Sequence, residues 1–171
     1  MIVVETPRLL MRRLEPGDLD ALATLYSDSD IRRYFPEGTL TRAETAEELD
    51  WFRNGHPDDA RLGLWATIEK ASGDFIGRCG LLSWNIEGTQ EIEIAYLIAR
   101  THWRQGFGAE AARALVAHGF TVLGLRRLIA LIHPDNIASA RTAESAGLGF
   151  DRAITLEGSA FHVYAITRPA A

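Results

Sequence analysis

The sequence predicts an α/β fold in which a mixed, mostly antiparallel sheet of about seven strands carries helices on both faces. Strand-like segments occur in pairs separated by short turns, a pattern typical of antiparallel hairpins. One strand–helix–strand crossover lies between these pairs, and such a crossover joins parallel neighbours. At 171 residues, with no linker rich in serine, glycine and proline, the chain is expected to form one domain over residues 1–171.

The N-terminal third is predicted to hold one strand followed by two helices. Residues 8–14 have the composition of a strand, and residues 16–18 begin a helix whose leucines lie on one face. Thr41 and Glu44 stand in the T-x-x-E spacing of a capping box, which predicts a second helix reaching about Asn54. A polar loop with a proline then separates these helices from the rest of the chain.

The rest of the chain is predicted to consist of six strands and two further helices. Residues 90–99 have the clearest strand pattern, because three isoleucines and Tyr96 share one face while Glu91 and Glu93 lie on the other. Gly124 suits the left-handed cap that ends a helix. The elements, in chain order, are strands over 62–70, 74–82 and 90–99, a helix over 106–123, a strand over 126–132, a short helix ending near Gly147, and strands over 150–157 and 160–167.

The composition argues against several classes of function. The 18 basic and 23 acidic residues leave a net charge of -5, which disfavours a nucleic-acid coat or a polybasic membrane binder. Cys79 is the single cysteine, so we expect no internal disulfide, no thiolate zinc cluster and a reducing, cytoplasmic location. No window reaches the roughly 18 apolar residues of a membrane helix. The five histidines lack metal-ligand spacing, so no metal ion is expected.

Residues 103–110 carry the most informative functional signal. They lie between a strand and a helix, and Gly106 and Gly108 have no Cβ, so a ligand could approach the backbone closely. The free amides of the first helical turn and the helix dipole would favour an anion such as a diphosphate, and Arg104 adds positive charge. Glycines also begin many purely structural helices. The spacing alone therefore leaves a structural turn and a phosphate loop both open.

Six segments in the same order resemble one known family over nearly the whole chain. The segments are residues 5–14, 76–81, 93–96, 103–111, 136–139 and 144–148. They are similar to the patterns L-x-T-x-R-L-x-L-R, I-G-x-x-G-L, E-I-G-Y, W-G-x-G-Y-A-T-E-A, N-x-x-S and E-K-x-G-F of the GNAT superfamily of N-acetyltransferases, RimJ/RimL (ribosomal-protein N-acetyltransferase) type. Ala95 stands where glycine is usual. The resemblance implies the GNAT fold, whose sheet is splayed.

The resemblance also implies acetyl-CoA as co-substrate. The pyrophosphate is expected on the loop formed by Arg104, Gln105, Gly106, Phe107, Gly108 and Ala109. The pantetheine arm is expected beside Leu97 and Ile98, where the Ile98 amide would polarise the thioester carbonyl. The side chain of Asn136 is expected to meet the arm from the other side.

Acetyl transfer to an amine needs a group that takes the amine's proton, and it benefits from one that protonates the thiolate. Glu93 is the candidate base because it matches the family's glutamate, and Glu91 on the same face is the reserve. A solvated or salt-bridged strand face would explain both carboxylates equally well. Ser139 is the candidate proton donor, although it could equally be an ordinary serine of a first helical turn. Ala143 occupies the position where many GNAT enzymes have a tyrosine acid.

The acceptor is expected to be a primary amine that attacks acetyl-CoA directly, without an acyl-enzyme. The family branch favours a protein or peptide N-terminal amine; the alternatives are a small amine, amino acid or antibiotic, or a non-catalytic acyl-CoA-binding module. Tyr34, Phe35 and Trp84 are the candidate pocket aromatics. Acidic residues over 44–59 would form either a rim for a cationic acceptor or a solvated helix face. A monomer or a homodimer, with no nucleic-acid or membrane partner, is expected.

Overall fold

One sheet of eight strands forms the centre of the fold in the computed structural model, which describes residues 1–170. The strands are β1 (Ile2–Glu5), β2 (Leu9–Arg13), β3 (Gly63–Glu69), β4 (Phe75–Ile86), β5 (Thr89–Ile98), β6 (Arg127–Ile132), β7 (Gly149–Leu156) and β8 (Ser159–Thr167). Their order is β1-β2-β3-β4-β5-β6-β8-β7, and every pair is antiparallel except β5 with β6. The predicted α/β class with a mixed, mostly antiparallel sheet is therefore confirmed.

Strand β1 raises the number of strands to eight, whereas the sequence pattern predicts about seven. Its four residues are too few to show alternation, and Val4 is the one side chain among them that is buried. The strand pairs with β2 across a tight turn, in which the Thr6 hydroxyl oxygen accepts a hydrogen bond from the Leu9 amide at 2.8 Å. Pairing with a neighbour, rather than an intrinsic pattern, makes this segment a strand.

Helices cover both faces of the sheet, as the sequence predicts. The helices are α1 (Leu19–Ser27), α2 (Arg42–Phe52), α3 (Phe107–Thr121) and α4 (Ile137–Ser145). The predicted capping box begins α2, because Thr41 and Glu44 each accept the other's backbone amide. Leu22 of α1 lies in the core on one face, and Leu115 of α3 lies in the core on the other.

Two glycines of β4 allow the central strands to approach closely. A Cβ at Gly77 would overlap the carbonyl oxygen of Leu97, and a Cβ at Gly80 would overlap that of Gly63. These are the two glycines of the segment that resembles I-G-x-x-G-L. Their role is therefore to hold β4 tightly between β3 and β5, which fixes the side chains that β4 and β5 present to the α1 face.

The parallel pair β5 and β6 separates toward its C-terminal end. Glu93 and Ile129 are the residues in register between these two strands. Past Glu93 the strands diverge, so the splay that the family resemblance implies is present. The Ala99 amide still donates to the Ile76 carbonyl on β4 at 2.7 Å. Because the polar groups of successive strand residues alternate in direction, those of Ile98 point away from β4 into the gap.

Candidate active site

A cleft of about 1510 Å³ opens where β5 and β6 separate. On one side it is lined by the loop before α3 and the first turns of α3 and α4, which we call the α3 side. On the other it is lined by the connection between α1 and α2 and by β4, which we call the α1 side. The predicted site residues Glu93, Leu97, Ile98, Arg104, Gly106, Phe107, Gly108, Ala109, Asn136 and Ser139 all line this cleft. The fold thus brings together residues that lie far apart in the chain.

The loop before α3 exposes backbone donors to the cleft. Arg104 and Gly106 both have left-handed backbones, with φ of 60° and 81°, and α3 begins at Phe107. No side chain among residues 1–170 caps this helix, so the amides at its start lack the usual internal partners. Free amides at the positive end of a helix of 15 residues form a site for an anion. The residues present therefore fit a diphosphate group.

A hydrogen-bond network that the sequence analysis missed, partly exposed to solvent, anchors this loop to the N-terminal hairpin. The Glu110 carboxylate accepts hydrogen bonds from the Thr6 hydroxyl at 2.6 Å and from the Arg8 Nε at 2.6 Å. Arg8 also donates its Nη1 to the Gln105 carbonyl at 2.8 Å and stacks over the Phe107 ring at 4.3 Å. This network joins residues 5–14 to residues 103–111, which are two of the segments that carry the family resemblance. Their joint presence in the sequence was the signal that could have predicted the contact.

Gln105 differs from its neighbours because it does not line the cleft. Its side-chain amide donates to the Thr101 carbonyl at 3.2 Å, and its own carbonyl accepts from Arg8. Trp103 is the other residue that shapes the loop: its indole donates to the Ile98 carbonyl at 2.8 Å. These bonds fix the approach of the chain to the first turn of α3.

Asn136 and Ile98 face the gap between β5 and β6 from opposite directions. The Asn136 Oδ1 caps α4 by accepting from the Ser139 amide at 3.1 Å, which leaves the Nδ2 group as its donor toward the cleft. The Ile98 carbonyl is occupied by Trp103, and its amide points to the same side. A polar arm entering the gap would meet donors from both walls.

Glu93 lies half-buried in the cleft at the point where β5 and β6 part. Burial raises the pKa of its carboxyl to about 7, while a hydrogen bond from the Trp84 indole, the charge of Arg78 and the Leu131 amide act in the opposite direction. The indole donates to Glu93 Oε2 at 2.7 Å. A carboxyl group with this pKa exists in both protonation states near neutral pH, which suits proton transfer.

Glu91, the reserve candidate, has a structural partner instead. It is 6% exposed, and both of its oxygens lie 3.1 Å from the Arg127 Nε on β6. It does not line the cleft. The two carboxylates of β5 therefore have different environments: Glu91 is ion-paired, and Glu93 faces the open gap.

Ser139 is bonded to a phenol that the sequence analysis did not select. The Tyr96 hydroxyl donates to the Ser139 carbonyl at 2.8 Å, and the Ser139 hydroxyl donates to the Tyr96 oxygen at 3.2 Å. Burial raises the pKa of the Tyr96 phenol above its ordinary value, so it stays protonated. Both interpretations of Ser139, as a proton donor and as an ordinary serine of a first helical turn, therefore remain open, because it lies in that turn and also faces the cleft.

The α1 side carries the aromatic residues that the sequence predicts. Tyr34, Phe35 and Trp84 all line it. Two buried arginines, Arg32 and Arg78, accompany them and were missed, because a single arginine in a loop or on a strand gives no sequence signal.

The acidic residues of α2 and the following loop form no rim around the cleft. Of the six acidic side chains over 44–59, Glu48 alone lines it. Glu44, Glu47 and Asp50 are exposed on α2. The solvated helix face is therefore the correct one of the two interpretations.

Cys79 is fully buried in the core, and burial raises the pKa of its thiol. It does not line the cleft. Across residues 1–170, no His, Cys, Asp and Glu side chains form a group of three or more that could hold a metal ion. No helix in the same part of the chain is long and apolar enough to cross a membrane.

A family model described as the acetyltransferase (GNAT) domain matches residues 8–149. The chain belongs to the GNAT acetyltransferase family. YkkB of Bacillus subtilis (strain 168), named as an uncharacterized protein, is 33% identical over 160 residues, which are 93% of this chain and 92% of that one. The uncharacterized N-acetyltransferase p20 of Bacillus licheniformis is 30% identical over 145 residues, or 85% and 81% of the two chains.

Solved structures support the same assignment to the GNAT family. The crystal structure of a GNAT-family acetyltransferase from Bacillus anthracis superimposes with a TM-score of 0.81 at 25% identity, and 98% of each chain is covered. The prediction of an acetyl-CoA-dependent N-acetyltransferase is therefore confirmed, and so is the GNAT fold.

Proposed function

We propose that this enzyme transfers the acetyl group by direct attack of a primary amine, with Glu93 as the proton acceptor. The observation that carries this proposal is the position of Glu93 in the gap, together with a pKa raised to about 7. Glu91 is ion-paired and Cys79 is buried away from the cleft, so neither competes for the role of base or nucleophile.

The step would proceed by addition and elimination at the thioester carbon. The neutral amine nitrogen bonds to that carbon, the carbon–sulfur bond breaks, and its electron pair leaves with the sulfur. Glu93 takes the proton that the amine loses, and the Ile98 amide would stabilise the charge that develops on the carbonyl oxygen. The products are an acetylated amine and coenzyme A.

Acetyl-CoA would bind along the α3 side. The backbone from Arg104 to Ala109 would hold the pyrophosphate; the side chain of Gln105 is bonded to Thr101 and its carbonyl to Arg8, so only its backbone amide would serve the phosphates. Leu97 would contact the pantetheine arm through its side chain, because its polar groups pair with β4. Ile98 and Asn136 would supply backbone and side-chain donors on the two walls of the gap.

Ser139 is our candidate for the group that protonates the departing thiolate. Its hydroxyl lines the cleft, and the Tyr96 phenol behind it could return a proton along the hydrogen bond that joins them. A thiol with an ordinary pKa of about 8.5 leaves fairly well unaided, so this contribution is smaller than that of the base.

For the acceptor, a protein or peptide N-terminal amine is the proposal that follows from the RimJ/RimL-type motifs. A small amine is the second candidate, because residues 30–37 line the α1 side and place the buried Arg32 there. We further propose one domain over residues 1–171, since one sheet takes strands from Ile2–Glu5 to Ser159–Thr167. We also propose a cytoplasmic location, because Cys79 is the single cysteine, and either a monomer or a homodimer.

The test is the substitution Glu93→Gln, which keeps the shape of the side chain and removes its basicity. We expect kcat for acetyl transfer to fall by about 10²- to 10³-fold at pH 8 while the Kd for acetyl-CoA stays within a factor of three. Thiol release from acetyl-CoA with a panel of peptides and small amines measures the first quantity, and calorimetric titration measures the second.

Glu47→Gln, on the exposed face of α2, is the matched control and should behave as the wild type. Unchanged kcat in Glu93→Gln would remove Glu93 from the role of base. Tight acetyl-CoA binding without turnover of any amine by the wild type would instead support the non-catalytic acyl-CoA-binding module.

A further inference from the structure

Two buried arginines lie on the α1 side of the cleft. Arg32 comes from the connection between α1 and α2, and Arg78 comes from β4; they are 4% and 5% exposed. Both side chains line the cleft. A buried guanidinium is costly unless it is paired, so two of them in one place need an explanation.

The protein satisfies only part of the hydrogen-bonding capacity of these two groups. Arg78 donates its Nε to the Tyr26 hydroxyl at 2.9 Å, and Arg32 donates its Nε to the Gly38 carbonyl at 2.7 Å. Within residues 1–170, their Nη groups form no hydrogen bond; Arg32 has one ion pair, at 3.7 Å to the 61% exposed Glu37, and Arg78 has none. The forked end of each guanidinium is thus available to a ligand in the cleft.

The two guanidinium groups lie close together because they share the same aromatic rings. Arg32 lies 4.1 Å from the ring centre of Phe35 and 5.0 Å from that of Tyr26, while Arg78 lies 5.7 and 5.6 Å from the same rings. Burial and the charge of Arg78 lower the pKa of the Arg32 guanidinium. Mutual repulsion of this kind would be relieved by an anion placed between them.

The local charges leave room for one such anion. Glu48 lies within electrostatic reach of both arginines and balances one of the two charges. Its Oε2 is buried without a hydrogen-bond partner, so it adds an acceptor to the same space. The Glu37 carboxylate approaches Arg32 as well, but it is 61% exposed, so solvent screens its charge and it leaves the forked ends of both guanidinium groups without a hydrogen bond. A ligand carboxylate would accept those hydrogen bonds.

The arginine pair and the proposed base line the same cleft. Residues 78, 80, 82 and 84 of β4 lie on one face, and Leu82 is paired with Glu93. Trp84 on that face donates to Glu93, and the charge of Arg78 acts on the pKa of Glu93. An acceptor bound by Arg78 would therefore present its other end toward Glu93.

We propose that the acceptor is an amine that also carries a carboxylate, as an amino acid does, and that Arg32 and Arg78 bind this carboxylate. The inference rests on the proposed function, because it assumes acetyl transfer to a primary amine at Glu93. It selects the second of the two proposed acceptors, a small amine, over a protein N-terminus: the carboxylate lies on the guanidinium pair, and the amine lies in the gap beside the thioester.

The test compares each amino acid with the amine that remains when its carboxylate is removed, for example phenylalanine with phenethylamine and lysine with cadaverine. Thiol release from acetyl-CoA is measured for all twenty amino acids, their decarboxylated partners, spermidine and a set of peptides. We expect at least one amino acid to have a kcat/KM roughly 100-fold above that of its partner, since the unpaired guanidinium groups reject the amine that lacks the anion.

The variants Arg32→Gln and Arg78→Gln should lower kcat/KM for that amino acid by roughly 10- to 100-fold more than for its decarboxylated partner; loss of the Arg78 charge also raises the pKa of Glu93, which affects both amines alike. Arg113→Gln on the exposed face of α3 is the matched control, and a thermal melt shows whether each variant is folded. The comparison of amino acids with their decarboxylated amines uses the wild-type enzyme, so it does not depend on whether a variant folds.

Equal or faster turnover of the decarboxylated amines by the wild type overturns this inference and leaves acetyl transfer standing. Turnover of peptides or spermidine but of no amino acid does the same. Failure of the proposed function looks different, because every amine would then be inert while calorimetry still shows acetyl-CoA binding.

Discussion

The two sides of the cleft are built from different parts of the chain. The α3 side uses backbone: left-handed residues at Arg104 and Gly106, free amides at the start of α3, and the strand groups of Ile98. The α1 side uses side chains from separate segments, among which Arg32 and Arg78 are buried together. One side thus depends on a short local motif, and the other depends on the tertiary arrangement.

The difference suggests how one fold can keep a coenzyme and change an acceptor. A backbone site needs glycine and a helix start, which few substitutions can replace. A side-chain site changes its charge with one residue. We therefore expect substitutions on the α3 side to alter coenzyme affinity, and those on the α1 side to alter which amine is used.

The largest expected effect is that of Gly108→Leu. A Cβ at this position would lie 3.7 Å from the Thr142 Cγ2, an ordinary contact, so the fold should tolerate the substitution while the added side chain fills the space over the amides. We expect the Kd for acetyl-CoA in calorimetry to rise more than 100-fold. Gly149→Leu, at an open position on β7, is the control. Normal affinity in Gly108→Leu would place the phosphates elsewhere.

A smaller effect is expected from Arg8→Ala, which removes the link between the N-terminal hairpin and the loop. The Glu110 carboxylate and the Gln105 carbonyl would each lose a charge-assisted bond, and the loop would lose its fixed position. The Kd for acetyl-CoA should rise about 10-fold, with kcat at saturating coenzyme unchanged. Glu110→Gln should give the same pattern. A fall in kcat without a change in Kd would show that the network serves the acceptor instead.

Ser139→Ala tests the proton donor. We expect kcat to fall by about 3- to 10-fold, a modest loss because the thiolate leaves without much help, and the KM for acetyl-CoA to stay near its original value. Thr121→Ala on α3 is the control, because this exposed threonine bonds only within its own helix. Thr142→Ala is unsuitable, because Thr142 lies against Gly108 of the loop. An unchanged kcat in Ser139→Ala would leave only the structural role.

The smallest change is expected for Trp84→Phe, which should shift the pH at which Glu93 ionises and leave its role as the base intact. The indole stabilises the carboxylate, so its removal raises the pKa of Glu93 above about 7. The acid limb of the rate profile should then move to higher pH, and the rate above that limb should recover to within a few-fold of the wild type. An unmoved limb would show that another group titrates there.

The sequence predicts the α3 side better than the α1 side for a physical reason. A loop with Gly106 and Gly108 before an amphipathic helix is a local pattern, so its function is visible in a few consecutive letters. The burial of Arg78 depends on Gly77 and Gly80 drawing β4 between its neighbours and on α1 presenting Tyr26. No short sequence pattern predicts those contacts, because they join segments that lie far apart in the chain.

The same reasoning separates the two glutamates of β5. Alternation places Glu91 and Glu93 on one face, which is correct, but their environments are set by β6 and by its divergence. Arg127 reaches Glu91 because the strands are still adjacent there, and Glu93 lies where they part. Strand β1 was missed for a comparable reason, since its pairing with β2 makes it a strand.

The most direct test of the central claim is the pH dependence of kcat/KM for acetyl transfer in the wild type and in Glu93→Gln. A carboxyl group with a pKa of about 7 predicts an acid limb with its midpoint near pH 7 in the wild type, because the rate requires the ionised form. That limb should be absent in Glu93→Gln, whose residual rate should follow the ionisation of the amine alone. An acid limb near pH 7 that persists in Glu93→Gln would contradict the assignment of Glu93 as the base.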